Sequence, residues 1–402
     1  MNAEESVQSS PDWLKLPARL QHQFFEHATA EAERTKKVLL EQKKKLEEIG
    51  KLLSFKPILE DNSWKDWRIA VVDGSESPVM SEKIGGRFGT YSAGYHIFQG
   101  MELVEEEYFS GYMADDQIGN SEASQKVLGL LTTELEREAA LKCLGEDVDL
   151  IMIDGPFFGF RPRCRIVAQK EIAMPKLRNG SDLVKQLVKM SQTLLDSGKV
   201  VGIVKRIETA AIDGWIILRT GNRNLALSRN DKDILSSFMK QGESFSYEEH
   251  FGSHDVFNYL SRLAWAFGRF YTTESGRSIA SIYQACKGDV ERNIKRDLNC
   301  DPSEILTTTR HFARCSYPAS PFAIETKLGM KTEPLLAFCQ ATCNKATGLP
   351  LALDLIDQDV GIPRGFTREF VEEIEATLAR DPDLDKFELE TRFSSLNPQK
   401  KE

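Results

Sequence analysis

Three short apolar runs that each end on a charged residue constrain the fold of this chain more than any other feature. Residues 68–73 read Arg-Ile-Ala-Val-Val-Asp, residues 150–154 Leu-Ile-Met-Ile-Asp, and residues 200–205 Val-Val-Gly-Ile-Val-Lys. Aliphatic runs without polar alternation mark strands buried on both faces, which calls for a mixed sheet covered by helices on each side. Asp73, Asp154 and Lys205 then fall at the C-terminal edge of that sheet, where open α/β folds place their sites. Glycine follows each aspartate. Read locally, Gly74 with Ser75, and Gly155, end their strands and allow close approach to the backbone.

The intervening pattern supplies the remaining layers. Spacing predicts strands over 90–99 and 101–109 joined tightly at Gly100, with Gly85, Gly86 and Gly89 marking loops before them. It predicts a helix over 121–144 with Val127, Leu130, Leu131, Leu135, Ala139 and Leu144 on its apolar side, and an amphipathic helix over 181–195. The order strand, strand, strand, helix, strand, helix, strand is that of an RNase H-like fold. The expected class is therefore α/β: an RNase H-like mixed sheet flanked by helices, with a long N-terminal helix and additional C-terminal α/β elements. The segments expected are a flexible tail over 1–16, the long helix over 17–56, the main domain over 64–380 and a C-terminal tail over 381–402.

In the N-terminal helix Phe25, Ala32, Leu39, Leu46 and Leu53 recur every seven residues, with Ala28 and Ile49 between them. Thr35 and Gln42 interrupt the seam, so the first expectation is a helix packed on its own domain and the second a dimer or partner contact. The aromatic stretch 257–283, with Trp265, Phe267, Phe270 and Tyr271, reads first as core and second as a base-stacking surface. Residues 318–324 read as extended, and the Thr367 hydroxyl is expected to cap a final helix.

Bulk properties exclude several classes. A net charge of −9 over 402 residues does not suit a protein that coats nucleic acid by charge alone, although Arg161, Arg163 and Arg165, with Lys170, form a local basic run suited to DNA. No run approaches the ~20 apolar residues that span a bilayer, and residues 1–12 are polar and acidic, unlike a secretory signal. No membrane and a cytoplasmic location are expected. Seven cysteines without a CxxC pair argue for reduced thiols rather than structural zinc. His250 and His254 have helical metal spacing, but Phe251 stands where a zinc protease needs glutamate and Gly252 weakens the helix. No phosphate-loop, dinucleotide or GxSxG signature occurs.

Two strand-end aspartates plus a glutamate from the intervening helix would supply the hard oxygen donors that Mn²⁺ or Mg²⁺ prefers. The helix offers Glu134, Glu136 and Glu138; Glu134 and Glu138 share a face and Glu136 lies on another, so only one face can look at the site. Lys205 is suited to offset charge building on a phosphate. Against this stands the plain alternative that Asp-Gly is a turn signal and a strand-end lysine a solvated one.

Val71-Val-Asp-Gly-Ser75 followed by Arg87, the glutamate-bearing helix, Ile153-Asp-Gly155 and Ile203-Val-Lys205 together resemble the NurA nuclease domain. The likeness continues through Asn230-Asp231-Lys232 and Pro321-Phe-Ala-Ile-Glu325 to Gly348-Leu-Pro350, or roughly residues 64 to 380. The resemblance implies a manganese-dependent DNA nuclease that forms toroidal dimers and works with the hexameric ATPase HerA. It implies Asp73, Glu136 and Asp154 as metal-binding catalytic residues with Lys205 beside them, Glu134 being the alternative glutamate. Arg87 joins the arginines as a DNA contact. The chain departs from the family at Pro156, where serine is usual, at Leu349, where tyrosine is usual, and at Asp357, which takes the place of a histidine and is kept as an additional carboxylate. A catalytic nuclease is thus the first reading. The second, from another class, is a non-catalytic dimeric DNA clamp or adaptor that regulates a motor ATPase, which would have no physical need of the carboxylates. An actin-like ATPase is a weaker third, lacking phosphate-loop glycines.

Overall fold

Ile69, Ala70, Val71 and Val72 are all at most 1% exposed, because the strand they form is sandwiched. Alternate side chains of β1 (Arg68–Glu76) enter two different cores. Ala70 and Val72 share one with Ala139, Ala140 and Cys143 of α2 (Ser121–Leu144); Ile69 and Val71 share the other with Leu353 and Ile356 of a late helix, Leu351–Val360. The computed structural model describes residues 12–115, 121–173, 175–252, 256–269 and 277–396.

β1 pairs antiparallel with β2 (Gly86–Gln99), which pairs antiparallel with β3 (Glu102–Asp115). On its other side β1 runs parallel to β4 (Leu150–Asp154), and β4 parallel to β5 (Val200–Val204). The order β3-β2-β1-β4-β5 is the RNase H arrangement. Helices α3 (Arg161–Val167) and α4 (Gly180–Asp196) lie between β4 and β5 in the chain. Beyond them come α5 (Ala211–Thr220), β6 (Glu243–Ser246), α6 (Phe257–Arg269), α7 (Ile279–Leu298), β7 (Thr308–Arg314), β8 (Phe322–Lys327) and α8 (Leu351–Val360). Strands β8, β7 and β6 add antiparallel to the β5 edge in that order, the two-residue strand Lys56–Pro57 closes it, and the short strand Ser81–Lys83 pairs antiparallel with β2, giving ten strands in one mixed sheet.

Local expectations fail where tertiary packing overrides them. β1 does not stop at Asp73 but continues through Gly74 to Glu76, paired along its length with β2. Gly86 and Gly89 lie inside β2 rather than in a loop; a side chain at Gly89 would meet Leu128 of α2 at 2.8 Å. The β2–β3 hairpin turns at Gly100 as expected, in the left-handed region at φ +59. Thr367 does not cap its helix. It lies within Phe366–Leu378, buried, its hydroxyl 2.8 Å from that of Thr90, and a further helix, Lys386–Phe393, follows.

The first helix, α1 (Ala18–Gly50), departs from the first expectation. Only its C-terminal turns enter the core, through Leu46 and Ile49 with Leu53 just beyond. Leu20, Phe24, Phe25, Leu39 and Leu40 are 38–64% exposed. Trp13 packs edge-on against Phe25 at 5.4 Å from a short turn, Asp12–Lys15, inside the segment expected to be a tail; residues 1–11 lie outside the described residues. No helix is long and apolar enough to cross a membrane among the described residues.

Candidate metal centre

Parallel pairing of β1 with β4 aligns Val72 with Ile153, so Asp73 and Asp154 leave the sheet side by side. Asp73 is 2% exposed. Its Oδ1 accepts a hydrogen bond from the Gly74 N–H at 2.7 Å, while its Oδ2 is buried without a hydrogen-bond partner among the described residues. A desolvated carboxylate oxygen with no donor is costly unless a cation meets it. α8 brings Asp357 to the same place: Asp73, Asp154 and Asp357 each offer one oxygen within 4.8 Å of the others. The three form a group that can hold a metal ion, and the all-carboxylate donor set fits a hard divalent cation.

Lys205, the next residue after β5, sets its Nζ 3.2 Å from Asp154 Oδ2 and 3.6 Å from Asp357 Oδ1. The electrostatics are those of crowded like charges. Burial, then Asp154 and Glu136, raise the Asp73 carboxyl to about 9 against the pull of Lys205. Burial also raises Asp154, with Lys205 opposing. At Lys205 burial pulls downward, but Asp154, Asp73 and Asp357 outweigh it and hold the ammonium above its ordinary value.

The α2 glutamates separate as their helical faces require. Glu136 reaches over Gly74, where a Cβ would stand 2.6 Å from its Cγ and 2.8 Å from its Oε1. This contact explains the glycine inside a paired strand: any side chain at Gly74 would displace Glu136. Burial raises the Glu136 carboxyl to about 7, with Arg137 opposing and Asp154 adding to the rise. Glu134 points elsewhere and is held by both ends of the Arg178 guanidinium, in the strand Arg178–Asn179. Glu138 is exposed, and partial desolvation and Glu134 raise its carboxyl.

The basic run does not form one surface, since residues two apart on a helix diverge. Arg163 turns toward the centre, 3.8 Å from Glu76 at the end of β1 and crossing α2 at Gly129. Arg161 lines a cavity on the other side of α3, and Arg165 is exposed. Arg87 is 8% exposed and ion-paired with Glu82 at 3.2 Å, seven residues along β2 from Gly94, the partner of Asp73. That burial leaves little of it to meet DNA.

The chain matches the family model for the NurA domain over residues 30–282. It belongs to the NurA family. Among solved structures it is similar to the NurA nuclease from Sulfolobus solfataricus, 14% identical, at a TM-score of 0.55, covering 92% of this chain and 100% of that one. It is also similar to a NurA structure with manganese, 14% identical, TM-score 0.45, covering 88% and 99%. A NurA structure bound to dAMP and manganese is 13% identical, TM-score 0.41, covering 94% and 100%. No curated protein matches.

Asp73, Glu136, Asp154 and Lys205 fall inside the NurA match; Asp357 falls beyond it and joins the centre through packing of α8 on β1. Two supporting residues, Arg137 and Arg310, are not singled out by the sequence, and a third, Glu325, stands there only as the end of the run Pro321-Phe-Ala-Ile-Glu325. Arg137, 2% exposed, lies 3.8 Å from Glu136 and donates to the Pro156 carbonyl at 3.3 Å. Glu325 and Arg310 pair at 2.9 Å across β8 and β7, and Glu325 Oε1 accepts from the Phe157 N–H at 3.1 Å. They fix the loop that follows Asp154. Arg310 and Glu325 are charges inside strands, a signal that takes on meaning once the Arg310–Glu325 register is known. His250 is structural: its Nδ1 donates to the Ser246 carbonyl at 2.9 Å and its Nε2 accepts from the Ser54 N–H at 3.1 Å; His254 lies outside the described residues.

Proposed function

We propose that this chain is a metal-dependent deoxyribonuclease that hydrolyses phosphodiester bonds from DNA ends. The observation that carries this reading is the convergence of Asp73, Asp154 and Asp357 around an unpartnered buried carboxylate oxygen, with Lys205 alongside. Asp73, Asp154 and Asp357 would hold Mn²⁺ or Mg²⁺, with Glu136 next to them on the α2 side. When bound, such an ion supplies a readily deprotonated water and charge stabilisation at a phosphoryl oxygen. The Lys205 ammonium can turn from Asp154 to a non-bridging phosphate oxygen and offset its charge. Arg163, loosely paired with Glu76, is placed to take the next phosphate along the strand. Glu325, Arg310 and Arg137 keep the loop after Asp154 in place during these changes.

The test is release of label from end-labelled linear DNA with added Mn²⁺. Glu136→Gln should lower the rate about a hundredfold, because it removes a charge at the centre, whereas Glu134→Gln should change it less than threefold. Equal losses would remove the distinction between the two faces of α2. A wild-type chain that cuts nothing, alone or with its motor, would favour the clamp reading.

A homodimer fed by a HerA-type hexameric ATPase completes the proposal. The apolar residues on the outer part of α1 support self-association, since exposed side chains of this size at helical spacing mark an interface. Light scattering should give twice the chain mass, and Leu20→Glu with Phe24→Glu and Leu39→Glu should give the monomer. A triple variant that keeps the wild-type mass would place the interface elsewhere. Addition of the cognate hexamer should accelerate degradation only with ATP present.

A further inference from the structure

Residues 156–162 run away from the carboxylates and form one wall of a cavity of about 400 Å³, closed by α6, α7 and the β7–β8 pair. Its size suits a single small ligand. The floor is neutralised internally by the Arg310–Glu325 pair, but the walls are not satisfied. Arg161, Asn258 and Asn293 line the cavity half-buried, and none of these three side chains has a hydrogen bond or ion pair among the described residues. At the mouth Trp265 is 42% exposed, contrary to the core role expected of it. Its ring is backed by the Arg262 guanidinium at 4.2 Å, which Asp289 fixes at 2.7 Å.

We propose that this cavity holds one nucleotide of the DNA strand engaged at the metal centre. An immobilised indole offers a stacking face to any base. Two carboxamides provide donors and acceptors matched to a base edge. A guanidinium provides the fork that suits a phosphate. A strand unit is favoured over a free nucleotide because the wall begins at Pro156, two residues and so at most about 7 Å of backbone after Asp154, which keeps the cavity next to the bond to be cut. The assignment rests on the nuclease reading above.

Two readouts separate the pocket from the chemistry. The first is fluorescence anisotropy of labelled oligothymidylate with the full chain; the second is Mn²⁺-dependent hydrolysis of bis(p-nitrophenyl) phosphate, which carries no base. Trp265→Ala and Asn293→Ala should each weaken oligonucleotide binding about tenfold and leave ester hydrolysis unchanged. Unchanged oligonucleotide binding in both variants overturns the proposal. Loss of ester hydrolysis in a variant with wild-type circular dichroism also overturns it, since the residues would then serve the centre itself. Binding of dAMP as tight as that of the oligonucleotide, and equally weakened, would assign the cavity to free nucleotides instead. A wild type inert toward both DNA and the ester would sink the nuclease reading, while anisotropy would still decide the pocket.

Discussion

Asp73→Asn should abolish cleavage and, in metal-free protein, make the fold more stable. The activity loss, about a thousandfold, follows from removing the carboxylate at the middle of the cluster. The stability gain follows from its surroundings. Burial and the neighbouring Asp154 and Glu136 raise the Asp73 carboxyl to about 9, so the folded metal-free chain keeps a proton there that the unfolded chain loses near its ordinary value of 3.8. The stabilisation is complete below that ordinary value and is lost as pH rises toward 9, because the folded state is then forced to carry an unpaired buried charge. Asparagine copies the neutral form at every pH. Thermal melts in EDTA should show the wild type weakening between pH 5 and 9 and the variant changing much less, with a gap on the order of 2–4 kcal/mol at pH 8. Mn²⁺ at a hundred times its dissociation constant should return about 2.7 kcal/mol to the wild type and little to the variant. A variant less stable than wild type in EDTA at pH 8 would mean that the carboxylate is satisfied without a cation.

Arg310→Met should cost about 3–5 kcal/mol, the expected penalty for leaving the partner of a buried ion pair uncompensated. Both side chains are under a tenth exposed, and the guanidinium also lies 4.7 Å from the Phe257 ring. With Arg310 gone, Glu325 retains the Phe157 N–H and little else. The double variant Arg310→Met with Glu325→Leu should recover most of the loss, since an apolar pair of similar volume often replaces a buried ion pair without penalty. The melting temperatures of the wild type and the two variants decide the point: a double variant as unstable as the single would show that the hydrogen bond to Phe157, not the unpaired charge, holds the loop.

The strand-end triad Asp73, Asp154 and Lys205 was legible because its signal is local: an apolar run, a charged end and a buried neighbour on each side. Glu136 could not be separated from Glu134 by periodicity. The choice depends on Arg178 capturing Glu134 from 44 residues away and on the missing side chain at Gly74. Gly74 itself misled as a strand breaker, since its role is steric and set by Glu136 on the helix α2 downstream. Asp357 was visible only as a position where the family pattern changes; its approach depends on Leu353 and Ile356 anchoring α8 under β1. Trp265 read as core because density of aromatics says nothing about which of them the last helical turn leaves outside. The heptad seam of α1 was real as a pattern, yet the chain turns away after Leu53 and leaves most of that seam without a surface to cover it.

Asp357 lies far along the chain from Asp73, and the helix that carries it packs on the sheet through Leu353 and Ile356. Chain order therefore delivers the third carboxylate last. A nascent chain emerging from the ribosome has its first two aspartates in place long before the third arrives, and a fragment that ends before α8 is short of a donor rather than merely shorter. The three-carboxylate group is complete only once the chain has been made through α8.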